Sequence, residues 1–163
     1  MKKNSKNNIG IILLAAGASR RMGSPKQLLQ IGEQTLLERT INSTKGIENA
    51  NTVVVLGANA EKIKNVIKEE QTIDIIINEN WEKGMGATLC TGIEFLLAKM
   101  PSLEAVIISV CDQPYLNRKI FEQLIQELKC SGAEIIVSKY EKIKGVPALF
   151  SKTLFPKLLI LKE

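Results

Sequence analysis

The stretch IGIILLAAGASRRMGSPKQLL, Ile9 to Leu29, decides how the chain is read. Its first six residues, Ile9–Leu14, are β-branched or leucine with one glycine. They are short enough for a strand and continuous enough to be buried on both faces. The polarity then changes abruptly. Two glycines, two arginines and a lysine follow within a run of small residues. Loops that only connect are usually shorter and carry no such set of cations. A backbone of this kind suits close wrapping around an anion. Gly17 and Gly23 allow φ > 0 and near approach of backbone N–H groups. Arg21 can fork onto oxyanions, and Lys26 supplies a mobile point charge. On composition alone, a long connecting loop with solvated basic residues fits about equally well.

Outward from this stretch, short apolar runs recur at Thr52–Gly57, Ile73–Ile77, Ala105–Val110 and Glu134–Ser138. Between them lie segments with helical spacing. Leu36, Leu37 and Ile41 share one face, as do Ile63, Val66 and Ile67. So do Leu89, Ile93, Leu96, Leu97 and Met100, and again Ile120, Leu124, Ile125 and Leu128. The alternation predicts an α/β fold, a parallel sheet with right-handed crossovers and helices on both faces. Ligands in such folds sit beyond the carboxyl ends of the strands. With 163 residues and no linker, repeat or low-complexity tract, one domain is expected.

Composition narrows the chemistry. The chain has no histidine, which excludes Ser-His-Asp and Cys-His catalysis and His-ligated zinc. Asp74 and Asp112 are the only aspartates. Cys90, Cys111 and Cys130 are odd in number and lack CxxC spacing, so they read as reduced thiols of a cytoplasmic protein. The net charge of +5 would attract anions, but it is spread along the chain and is weak evidence for nucleic acid, so no nucleic-acid partner is expected. No apolar run reaches ~18 residues, so no membrane span is expected. The opening MKKNSKNN is read as a polar start rather than a signal peptide.

Three further stretches carry candidate chemistry. NENWEKGMGATLCTG, Asn78 to Gly92, runs from a strand into a helix, with Gly84 and Gly86 just ahead of it and Thr88 in its first turn. A helix N-terminus there could seat an anion, and a glycine hinge before a cap fits as well. In VIISVCDQPYL, Asp112 follows a buried strand and should emerge at the edge where the first loop lies. It suits either Mg²⁺ ligation or local turn bonds. KGVPALFS, Lys144 to Ser151, suggests a loop and then a short strand. Neither the P-loop nor the G-x-G-x-x-G spacing is met anywhere.

Together the motifs L-A-A-G-x-S-x-R-M-G-x-x-K-x-L-L, G-M-G-x-x-L, D-Q-P and G-x-P-x-L-F, in this order from Ile9 to Phe150, resemble the MobA-like NTP transferase family. The branch they are most similar to is the molybdenum cofactor cytidylyltransferases. The resemblance implies a Rossmann-like three-layer α/β/α sandwich with a mostly parallel sheet, of the nucleotide-diphospho-sugar transferase kind. It implies Mg²⁺-dependent transfer of a nucleoside monophosphate to a phosphorylated acceptor such as molybdopterin, with release of pyrophosphate. By the same resemblance, Leu14, Ala15, Ala16 and Gly17 would wrap base and sugar. The loop through Ser19, Arg21, Met22 and Gly23 would hold the triphosphate, and Lys26 would bridge the reacting phosphates. Gly84, Gly86 and Thr88 would line the pocket near base and ribose, and Asp112 would be the metal ligand. Arg21, Lys26 and Asp112 are the expected catalytic set. Ala16 stands where the guanylyl branch has glycine, which favours CTP over GTP. A molybdoenzyme or its chaperone would be the protein partner. The resemblance further implies that residues 1–163 form one such domain without the family's C-terminal segment and its second metal-binding aspartate. A sugar- or polyol-phosphate acceptor, or a non-catalytic binding relative, is the alternative.

Overall fold

The computed structural model describes residues 8–19, 22–67 and 73–162. Strand β1 (Ile9–Ala15) is buried along its whole length. Two two-residue strands, β2 (Gln30–Ile31) and β3 (Gln34–Thr35), form a small hairpin after the first loop. Helix α1 (Leu36–Thr44) follows, then β4 (Ala50–Leu56), α2 (Ala60–Lys64) and β5 (Ile73–Ile77). The second half runs α3 (Met85–Lys99), β6 (Ala105–Val110), α4 (Arg118–Ser131), β7 (Ile135–Tyr140), β8 (Ile143–Ser151) and α5 (Phe155–Leu159).

Local chemistry accounts for several boundaries. The Thr35 hydroxyl accepts from the Glu38 N–H at 3.2 Å, and the Glu38 carboxylate accepts from the Thr35 N–H at 2.8 Å. This capping box starts α1 and stabilises it by ~1 kcal/mol. Gly84, at φ 103°, lets the chain turn sharply into α3. Helix α2 stops at Lys64, short of the span suggested by Ile63, Val66 and Ile67. Ile67 is still buried, but Val66 is exposed.

The large sheet has the order β5-β4-β1-β6-β8-β7. β5, β4, β1 and β6 run parallel. β8 is antiparallel to β6 and to β7. The sheet is therefore mostly parallel, as expected. Lys144–Ser151, read as a loop and a short strand, instead belongs to a nine-residue strand, because its apolar residues complete the sheet beside β6.

Alternate residues of β1 feed two cores. Ile9, Ile11, Leu13 and Ala15 pack with Leu37 and Ile41 of α1, Ile63 of α2, and Phe121, Leu124 and Ile125 of α4. Ile12 and Leu14 pack with Leu89, Ile93 and Leu96 of α3 and Phe155 of α5. These are the two helical layers of an α/β/α sandwich. Among the described residues, no helix is long and apolar enough to cross a membrane.

Candidate active site

The chain leaves β1, passes outward through β4 and β5, and returns to β6 on the other side of β1. The direction of winding reverses there, so the loops after β1 and β6 part and leave a crevice at the carboxyl edge. A cleft of about 520 Å³ occupies that crevice. Leu14, Ala16, Gly17, Ala18, Ser19, Lys26 and Gln27 line it from the β1 side, and Val110, Cys111 and Asp112 from the β6 side. Trp81, Glu82, Gly84, Met85 and Thr88 close it from the turn before α3.

Lys26 and Asp112 meet at this cleft. Nζ lies 3.7 Å from Oδ2, and both side chains are 46% exposed. A pair so exposed contributes at most ~1 kcal/mol to stability, so folding alone gives little reason to hold these charges together. The Asp112 loop is braced from both sides. Gln113 Nε2 donates to the Val146 carbonyl of β8 at 2.8 Å, and Arg39 of α1 donates to the Pro114 carbonyl at 3.3 Å. Lys26 is fixed through its backbone, whose N–H donates to Ser19 Oγ at 3.0 Å. Asp112 and Glu82 both line the cleft, and carboxylates are the ligand type that a hard cation takes. Asp74 is elsewhere, early in β5 and 2.6 Å from Lys99 Nζ.

Other expected residues occupy supporting places. Ala15 is buried beneath the cleft, and its carbonyl accepts from Gln27. Met22 and Gly23 belong to the same loop but do not line the cleft. Gly23 has φ 67°, whereas the left-handed residue near Gly17 is Ser19, at φ 51°. Gly86 faces the Leu161 carbonyl, which leaves no room for a Cβ. The Thr88 hydroxyl accepts from buried Asn78 and donates to the Gly84 carbonyl, tying β5 to α3. Arg21 lies outside the described residues.

Among the wall residues that went unread in the sequence are Gln27 and Trp81. Trp81 packs against Gly57, where a side chain would collide with both Trp81 and Ala16. A lone tryptophan before a Gly-rich turn was the available signal.

Cys111 lines the cleft as a buried thiol. Burial, and then the neighbouring Asp112 charge, push its thiol from 9.0 up to about 12. With DTNB near pH 8, exposed Cys130 should label rapidly, and Cys111 only as the protein unfolds. Because the folded thiol ionises later than the unfolded one, stability from this group falls as pH rises through the window from 9 to 12. Rapid labelling of Cys111 at pH 8 would contradict this assignment.

Residues 11–163 match the MobA-like NTP transferase domain. The chain belongs to that family. Bifunctional protein GlmU of Buchnera aphidicola subsp. Schizaphis graminum is 26% identical over 149 residues, covering 90% of this chain and 31% of its own length. Nicotine blue oxidoreductase of Paenarthrobacter nicotinovorans is 33% identical over 107 residues, 65% of this chain and 50% of its own. The crystal structure of Rv0371c from Mycobacterium tuberculosis H37Rv superposes with a TM-score of 0.82 at 27% identity, covering 95% of this chain and 77% of that one. This MobA-like domain thus spans about a third to a half of those two curated relatives.

Proposed function

We propose that this MobA-like domain transfers a nucleoside monophosphate, CMP from CTP, to a phosphorylated acceptor of the molybdopterin type and releases pyrophosphate. The observation that carries the reading is the meeting of Lys26 and Asp112 across the cleft at the switch point. A phosphate acceptor is already anionic at neutral pH and needs no histidine base. Such a reaction asks the protein for alignment and for neutralisation of charge on the leaving group.

Each wall has a part in this account. Trp81 and the backbone around Ala16 receive the base and sugar. Lys26 holds the phosphates at the reacting end, with Arg21 as the sequence's further candidate. Asp112, with Glu82 of the same cleft, would hold Mg²⁺, which when bound would draw charge from the phosphate oxygens. The backbone bond to Ser19 and the braces on the Asp112 loop hold the two charged groups in place before substrate arrives.

The test is pyrophosphate release on mixing the protein with Mg-CTP and a molybdopterin acceptor, with GTP and with sugar- or polyol-phosphate acceptors as parallel arms. Turnover only with the sugar or polyol arm would replace the acceptor. Binding of CTP without turnover in any arm would leave a binding protein. Because one relative is named an oxidoreductase, the same samples should be assayed for redox turnover of NADH and NADPH.

Gly17 gives an independent check. Its φ lies outside the left-handed region, and a Cβ there would meet none of the described residues within 4 Å. The fold therefore tolerates alanine, which should leave stability unchanged or raise it by about 0.4–1 kcal/mol. If a nucleotide approaches this backbone, Gly17→Ala should weaken CTP binding roughly tenfold, about 1.4 kcal/mol. Calorimetric binding and thermal melts on one sample separate the two effects. Undiminished affinity would move the nucleotide away from Gly17.

A further inference from the structure

Gln27 is only 3% exposed, yet it sits in the wall of the cleft. Its Nε2 donates to the carbonyls of both Ala15, at 2.8 Å, and Gly17, at 3.0 Å. Turning the amide over would set its oxygen against two carbonyl oxygens, so the nitrogen must face them. Among the described residues its Oε1 is buried without a partner. Leaving a buried acceptor unpaired is costly, and a side chain kept under that cost has a use for its nitrogen.

That use follows from peptide geometry. In a planar trans peptide the N–H points away from the preceding C=O. Pinning the Ala15 and Gly17 carbonyls to one nitrogen turns the N–H groups of Ala16 and Ala18 to the opposite side. Between them, the Ala16 carbonyl accepts from the Ala58 N–H at 3.0 Å. Three successive carbonyls are thereby fixed. Among the described residues, neither the Ala16 nor the Ala18 N–H meets an acceptor. Both residues line the cleft, and Ala16 lies beside the Gly57 and Trp81 packing.

We infer that Gln27 is a positioning residue, which through its one amide nitrogen aims the Ala16 and Ala18 N–H groups at acceptor atoms of a nucleoside, the base carbonyl and sugar oxygens. This rests on the nucleotide reading of the cleft. It adds the group that orients the base-reading backbone without touching the ligand. Lys26 and Asp112 face the phosphates and do not depend on it.

The experiment compares wild type with Gln27→Met, which keeps length and volume but cannot donate. CTP and inorganic pyrophosphate are titrated calorimetrically in Mg²⁺ buffer, and kinetics are run in parallel. CTP affinity should fall about tenfold while pyrophosphate affinity stays within twofold. KM for CTP should rise by a similar factor with kcat within threefold. If Gln27→Met does not fold, Gln27→Glu serves, since its carboxylate repels both carbonyls and should give the same split. Unchanged CTP affinity overturns the inference alone. Equal losses for CTP and pyrophosphate also overturn it, because they mark general damage to the loop. A wild-type protein that binds no nucleoside triphosphate overturns the nucleotide reading and the inference with it.

Discussion

Asp112→Asn should nearly abolish nucleotidyl transfer while leaving CTP affinity within roughly tenfold, about 1.4 kcal/mol. The substitution keeps shape and removes one charge. The side chain is 46% exposed, and its only ion-pair partner among the described residues is Lys26 at 3.7 Å, so the fold loses little. The braces from Val146 and from Arg39 act on Gln113 and Pro114 and survive the change. The rate should suffer because an amide holds a divalent cation weakly, and the cation's value lies in the transition state rather than in ground-state binding. Single-turnover rates against a Mg²⁺ titration, beside equilibrium CTP binding, are the check. Wild-type turnover in the Asp112→Asn variant would remove Asp112 from the reaction.

Lys26→Ala should slow transfer by about 3 kcal/mol of barrier, the scale of one donor positioned at developing negative charge. Stability should move by no more than about 0.5 kcal/mol, as for an ordinary surface change. The separation is expected because the loop is held by the Lys26 N–H on Ser19 Oγ, which alanine retains. Combining the two substitutions should cost less than the sum, since both act on the same phosphates. Turnover at the wild-type rate in the single variant would place the phosphates elsewhere. A large loss of thermal stability would make Lys26 part of the fold instead.

The layered fold was legible because its strongest signals are local. β1, β5 and β6 appear as apolar runs with nearly the bounds that the sheet gives them. The helical stripe of α3 faces its core as the spacing predicts, and so do Leu124, Ile125 and Leu128 of α4, but there Phe121 rather than Ile120 enters the core. The direction of β8 was not legible, since strand polarity is a property of a pairing and not of a segment. Lys26 and Asp112, far apart in sequence, were brought together by placing both at the carboxyl edge. Gln27 could not be found that way. A glutamine in a basic loop reads as solvated, and only its burial and two carbonyl partners show otherwise. Gly86 shows a packing reason that the sequence did not reveal. A glycine beside a helix start invited a ligand, and the Leu161 carbonyl occupies the space where its Cβ would stand.

The central place of β1 also bears on biosynthesis. β1 precedes in the chain both strands that enclose it, β4 and β6, with Ile9 pairing Ala50 on one edge and Ala105 on the other. On a growing chain β4 can pair early, but the other edge of Ile9–Ala15 stays open until residues 105–110 leave the ribosome. An apolar strand with an open edge invites pairing with other chains. The cleft between β1 and β6 comes into being in the same late step that shields this edge. Nascent chains stalled before β6 should therefore be held by chaperones and be blind to nucleotide, and both conditions should end together.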